Sequence, residues 1–288
     1  MLSTNSLELL PSLDFNPVLK PIWHNGEALP KTIGQKIVRE DTNEVLGIVK
    51  SRYVPQKYSA LWEPLIEGLH ESGLDLSNAE VQWRVINRGT AMYADITLKN
   101  YDYKHIIGEA TALSLRVYNS VDGSLAYNVS AFIKRLACLN GMTSIGDNTS
   151  VKFKHTAGTD PARIGRVASQ WPVALERDAH LFNHMRNVPI SPTVAQVFLA
   201  QFDLSVKKKW LSLMLSLHDR YRKTIGNNAY ALYNALTDYG THVDTTSIGG
   251  ADLGQRALRQ EKKVQDLVRG SAFKNLINYE EFEQRHVA

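Results

Sequence analysis

Cationic side chains form the most suggestive chemical pattern in the chain. The stretch from Ser150 to Ala168 carries Lys152, Lys154, Arg163 and Arg166 against one acid, Asp160, with His155 among them. Ser205 to Ile225 holds Lys207, Lys208, Lys209, Arg220, Arg222 and Lys223 against Asp219. Arg256, Arg259, Lys262, Lys263 and Arg269 crowd a further stretch, diluted by Glu261 and Asp266. Clusters of this kind neutralise phosphates, and aromatic rings between them can stack on unpaired bases. Tyr93, Tyr101, Tyr103 and Tyr118 lie near Arg84, Arg88, Lys99, Lys104 and Arg116. The expected nucleic-acid contacts are therefore Lys134, Arg135, Lys152, Lys154, His155, Arg163 and Arg166, with Arg84, Arg88, Arg116 and Tyr118 beside them. The competing reading is a set of solvated faces balanced by acids elsewhere, since the formal net charge is only +4.

Other chemistry is less well supported. His180 and His184 stand four apart, a spacing that can place two imidazoles on one metal, but no Glu follows His180 as a zinc-protease motif needs. Asp95, Asp102 and Lys104 resemble the carboxylate and lysine spacing of metal-dependent nucleases, in which two acids hold Mg²⁺. That is the enzymatic alternative. Gly249, Gly250 and Gly254 lack the Lys-Ser/Thr pair of a phosphate loop and read as a hinge. No Gly-x-Ser-x-Gly elbow occurs, and Cys138 sits in an apolar run as a buried thiol. No catalytic residue, metal site or cofactor is expected.

The totals set the class. A chain of 288 residues with 43% apolar and 22% charged residues can bury a substantial core. A single cysteine rules out an internal disulfide. The N-terminus has no basic region followed by an apolar core, and no apolar run approaches the roughly 20 residues of a membrane helix. The expectation is a soluble, cytoplasmic protein.

The elements that must position these side chains follow from periodicity. Residues 1–35, rich in proline, read as an irregular arm. Lys36–Glu40 and Val45–Lys50 flank a polar turn as a first hairpin, and a helix follows with Tyr58, Leu61, Trp62, Leu65 and Leu69 on one face. Its start is left open by Pro64, a residue tolerated only near a first turn. Val81, Trp83 and Val85, then Met92, Ala94, Ile96 and Leu98, alternate across Asn87-Arg88-Gly89 as a second hairpin. Leu113, Leu115 and Val117, then Leu125, Tyr127 and Val129, alternate across Asp122-Gly123 as a third. Beyond about Val151 the period becomes helical. Asp160-Pro161 and Ser191-Pro192 read as helix starts, a kink is expected at Pro172, and Gly226 should end a helix. The fold class is α+β: a hairpin-rich antiparallel sheet with a packed helix over 36–156, then a helical region over 157–288.

Several stretches together resemble a known family. RVYNSVDGS from Arg116, IKRLACLNGM from Ile133, FKHT from Phe153, YALYNALTDYGTH from Tyr230 and RYVPQKYSALWEPL from Arg52 are similar to a phage- and plasmid-borne domain of unknown function, number 932. The likeness runs over about 35–275 and carries no established catalytic residues. It implies a mobile-element origin, cytoplasmic residence and involvement with the element's DNA. Phage single-strand annealing proteins offer a fold-level analogy. The expected function is non-enzymatic binding of single-stranded DNA by an oligomer, which could promote annealing. The non-enzymatic alternative is a host-interaction or inhibitor protein acting through protein contacts.

Overall fold

The structure, a computed structural model, describes residues 2–136, 141–142, 149–156, 163–168, 170–202, 209–242 and 250–286. In chain order the strands are β1 (Leu2–Thr4), β2 (Pro17–Pro21), β3 (Trp23–His24), β4 (Glu27–Ala28), β5 (Gln35–Arg39), β6 (Val45–Val49), β7 (Ala79–Ile86), β8 (Ala91–Leu98), β9 (Thr111–Ser120), β10 (Tyr127–Arg135), β11 (Gly141–Met142) and β12 (Ser150–Phe153). The helices are α1 (Ser59–Glu71), α2 (Lys104–Ile107), α3 (Arg163–Ala168), α4 (Trp171–Asn187), α5 (Pro192–Ala200), α6 (Lys209–Ile225), α7 (Ala229–Thr241), α8 (Gly250–Arg269), α9 (Ser271–Leu276) and α10 (Tyr279–His286). The fold class is α+β, with antiparallel sheets in the N-terminal half and helices in the C-terminal half. The chain forms two compact units. The first holds residues 1–100, 114–131 and 149–172, and the second holds 101–113, 132–148 and 173–288. No helix among the described residues is long and apolar enough to cross a membrane.

The first unit holds the three-stranded sheet β2–β5–β6, the β3–β4 pair and most of a larger sheet with one face covered by a helix. The larger sheet runs in the order β1, β7, β8, β9, β10, and both β11 and β12 pair with β10. The β7–β8 ladder is unbroken from Ala79 opposite Leu98 to Ile86 opposite Ala91. Its turn needs left-handed backbone at Arg88 (φ 55°) and Gly89 (φ 98°). A Cβ at Gly89 would also lie 3.0 Å from the Phe15 ring. Only glycine meets both demands. The alternation Val81, Trp83, Ala94, Ile96, Leu115, Val117 and Val129 is fully buried, as a period of two dictates. Helix α1 covers that face with Leu61, Trp62, Leu65 and Leu69, and Trp62 lies 4.6 Å from Trp83. Each such burial contributes about 2 kcal/mol.

Several expectations are corrected. The proline-rich arm supplies strands: β1 pairs with β7 at the edge of the main sheet, and β2 pairs with β5. Pro17 and Pro21 bound β2, an edge strand, where missing N–H groups cost little. Pro64 lies inside α1, half-buried, in its second turn. Pro172 does not kink a long helix but sits at the start of α4, where its absent N–H is no loss. Gly250 and Gly254 lie within α8, so the expected hinge is not at those residues. Cys138, Asp160-Pro161, Lys207, Lys208 and Gly249 lie outside the described residues.

The second unit is helical and centred on α7. Tyr230, Leu232, Tyr233, Ala235 and Leu236 are all buried, and α6, α8 and β11 pack against this helix. Asn228 caps it by accepting the Ala231 N–H at 3.0 Å. Ser191 caps α5 the same way, accepting from Val194 at 3.2 Å. Gly226, at φ 102°, follows α6 as its spacing predicts.

Candidate nucleic-acid interface

Two of the motif stretches meet in the first unit. Pro55 bars Val54 from helical backbone, so the segment 50–57 enters α1 as an irregular run. The Val54 N–H donates to the His155 carbonyl at 3.0 Å. The Tyr53 ring lies 5.3 Å from the His155 ring, and its hydroxyl donates to the Ser120 carbonyl at 3.3 Å. Strand alternation on β12 sends Val151 and Phe153 into the core and Ser150, Lys152 and Lys154 outward. Lys50, Arg52 and Lys57 are exposed on the facing segment. Among the described residues, Lys50, Arg52, Lys57 and Lys152 make no ion pair. The half-buried Asp122 is the acid that acts on Tyr53 and His155. Burial, with Asp122 adding to it, pushes the Tyr53 hydroxyl far above its ordinary range, so it stays a donor. Burial holds His155 below the usual imidazole range, partly offset by the Leu125 backbone and Asp122.

The other expected contacts are placed differently. Arg116 makes a bidentate pair with Asp95 at 2.6 and 2.8 Å. Tyr118 is 5% exposed and meets Tyr93 edge-on at 4.8 Å. Arg88 is exposed but paired with Glu44 at 2.7 Å. Arg84 is half-buried opposite Tyr93. Arg163 is exposed at the start of α3, which packs on α1. Arg166 lies on α3, with its side chain outside the described set. Lys134 and Arg135 belong to the second unit and are 5% and 7% exposed. Lys152, Lys154 and His155 are thus the expected residues that come together. Lys50, Arg52, Tyr53 and Lys57 are the ones sequence reasoning missed. Their signal was available in RYVPQKY, three cations with Lys50 about a proline-stiffened run.

The remaining motif pair meets in the second unit, where Arg135 is buried and Glu109 nearly so. Glu109 accepts Nε of Arg135 at 2.8 Å, Arg186 at 3.0 Å and the Tyr230 hydroxyl at 2.5 Å. Arg135 also donates to Asn234 Oδ1 at 3.0 Å, and Arg186 lies over the Tyr230 ring at 4.5 Å. Further along the same face of α7, Asp238 pairs with Arg220 and accepts the Tyr221 hydroxyl at 2.7 Å. His242 Nδ1 lies 3.0 Å from its other oxygen. Burial opposes ionisation of Asp238, but hydrogen bonds from His242 and Tyr221 outweigh it and hold the carboxyl below its ordinary range. Tyr230, Asn234, Asp238 and His242 recur every four residues, which sets them along one side of the helix.

The acids of the nuclease alternative have structural partners. Asp95 is held by Arg116. Asp102 accepts the Lys104 N–H, the Thr111 N–H and the Thr111 hydroxyl at 2.9–3.0 Å. His184 Nε2 lies 2.8 Å from the Ile277 carbonyl. Among the described residues, no three or more His, Cys, Asp or Glu groups are gathered for a metal ion.

Both meeting points fall within a single family match. The family described as Domain of unknown function (DUF932) matches residues 45–271, and the chain belongs to that family. No curated protein and no solved structure matches the chain.

Proposed function

We propose that the protein binds single-stranded DNA through the first unit. Lys50, Arg52, Lys57, Lys152 and Lys154 would hold the phosphates, and Arg163 would extend the contact. One observation carries this reading: the Val54–His155 hydrogen bond brings the cations of two distant segments to one exposed surface. A phosphate backbone is recognised by such a surface without sequence readout. In this reading the protein works in the cytoplasm, with several copies along one strand.

Fluorescence-anisotropy titration of a labelled single strand at two salt concentrations tests it. Five phosphate contacts give a slope of about −3.5 in log K against log salt, or roughly 100-fold weaker binding from 50 to 200 mM. Binding that is absent at low salt, or indifferent to salt, rejects the proposal.

A further inference from the structure

The β3–β4 hairpin holds its tryptophan in water. Asn25 and Gly26 form its turn at φ 50° and 83°, the left-handed pair that a two-residue type I′ turn requires. The Leu29 N–H donates to the Ile22 carbonyl at 2.7 Å and closes the base of the hairpin. Trp23 is 61% exposed, and the residue opposite it is Ala28, whose methyl covers little of an indole. No third strand joins the pair, and among the described residues no other ring or cation meets Trp23. Trp62, Trp83 and Trp171, by contrast, are 2% exposed or less.

The neighbouring sheet supplies the charge. Lys20, Lys36 and Ile48 stand directly opposite one another on β2, β5 and β6, and so share one face. Ile22 and Ile48 meet beside Gly34, where a Cβ would lie 3.6 and 3.3 Å from their methyl groups. That approach sets the base of the hairpin against β6, and the exposed Lys50 leaves β6 two residues beyond Ile48. Lys31, Lys36 and Lys50 form no ion pair among the described residues. The acids of this sheet lie in the turn 40–44 at its other end, where Asp41 and Glu44 are paired with Arg39 and Arg88. Glu27, opposite His24, is the one acid on the hairpin. An uncovered indole beside unpaired lysines suits an unpaired strand, whose bases stack on the ring while its phosphates meet the cations.

We infer that the β3–β4 hairpin is a base-stacking finger, with Trp23 taking one unpaired base while Lys36 and Lys50 hold the flanking phosphates. The inference rests on the single-strand reading above and extends its cationic surface from Lys50 past Ile48 to the hairpin. It also gives that surface a reason to select single strands, because a duplex keeps its base faces stacked on one another.

The test is a low-salt titration of labelled oligothymidylate and of an abasic strand of equal length against the parent, Trp23→Ala and Trp23→Phe. The parent should bind oligothymidylate about tenfold more tightly than the abasic strand. Trp23→Ala should remove most of that difference by weakening oligothymidylate alone, and Trp23→Phe should retain most of it. Salt slopes should not move, since no charge changes. Indole emission should fall when oligothymidylate is added to the parent and hold steady in Trp23→Ala. The Tm of that variant should match the parent's, because the ring lies outside the core. Equal loss on both strands, or no loss on either, would overturn the stacking finger and leave the cationic surface standing. Emission that responds to phosphatidylserine vesicles and not to the strand would reassign the hairpin to a lipid surface. Failure of every strand to bind would sink the inference together with the function it rests on.

Discussion

The two meeting points use one chemical inventory in opposite ways. In the first unit, RYVPQKY and FKHT bring cations outward around a neutral His155. In the second, IKRL turns Arg135 inward onto Glu109 and onto Asn234 of YALYNALTDYGTH. The outer surface is mostly lysine, a flexible and strongly hydrated point charge. The inner network is arginine, whose planar fork can serve Glu109 and Asn234 at once. Exposure therefore separates the two settings: Lys50, Arg52, Lys57 and Lys152 stand in water without an ion pair among the described residues, whereas Arg135 is buried on Glu109 and Asn234.

The largest effect that would break this contrast is at Glu109. Replacing it with Gln leaves the buried Arg135 and the half-buried Arg186 without their shared carboxylate, at a cost of about 3 kcal/mol in urea unfolding. A loss under 1 kcal/mol would show that the network does not hold the unit. Exchanging Lys50, Arg52, Lys57, Lys152 and Lys154 together for Gln should do the reverse. Strand affinity falls at least about 100-fold, with the salt slope approaching zero. Each site should change stability by less than about 0.5 kcal/mol. Asp238→Asn comes next, costing about 2 kcal/mol through the Tyr221 and Arg220 bonds.

Titration sharpens the comparison at the smallest scale. His155 is buried with a folded pKa below its unfolded value, so the unfolded state takes up its proton first as pH falls. Stability is lost on acidification below about 6.5. The Asp238 hydrogen bond raises His242, so its contribution is present below about 6.5 and fades as pH rises through the folded value. Burial and Arg222 lower His218, which adds to the acid loss. Tm measured at pH 5.5 and 7.5 for the parent, His155→Gln and His242→Asn isolates the terms. His155→Gln should flatten the acid loss and His242→Asn should deepen it.

Much of the architecture was legible because side-chain period is a direct record of which faces are buried. Three hairpins, the capped start of α5 and the end of α6 at Gly226 follow from alternation and punctuation alone. The N-terminal strands were missed because short edge strands bounded by proline carry too few residues to show a period. Helix α8 was read as beginning after a hinge because Gly250 and Gly254 argue locally against a helix.

The interface was half legible for a different reason. Lys152 and Lys154 alternate with buried Val151 and Phe153, and that pattern places them outside. Arg116 and Arg135 stand in similar strand positions, yet their partners Asp95 and Glu109 are 21 and 26 residues away. No local pattern records that pairing. The approach of segment 50–57 to the residues after β12 is made by the Val54–His155 backbone bond and the Tyr53–His155 ring contact, about a hundred residues apart in sequence.

The central claim, that the exposed cations of the first unit hold a single strand, is tested most directly by lysine acetylation footprinting with and without single-stranded DNA, read by mass spectrometry. The account predicts that DNA protects Lys50, Lys57, Lys152 and Lys154 while Lys262 and Lys263 on α8 react as before. Protection of Lys262 and Lys263, with the first-unit lysines unchanged, would contradict it.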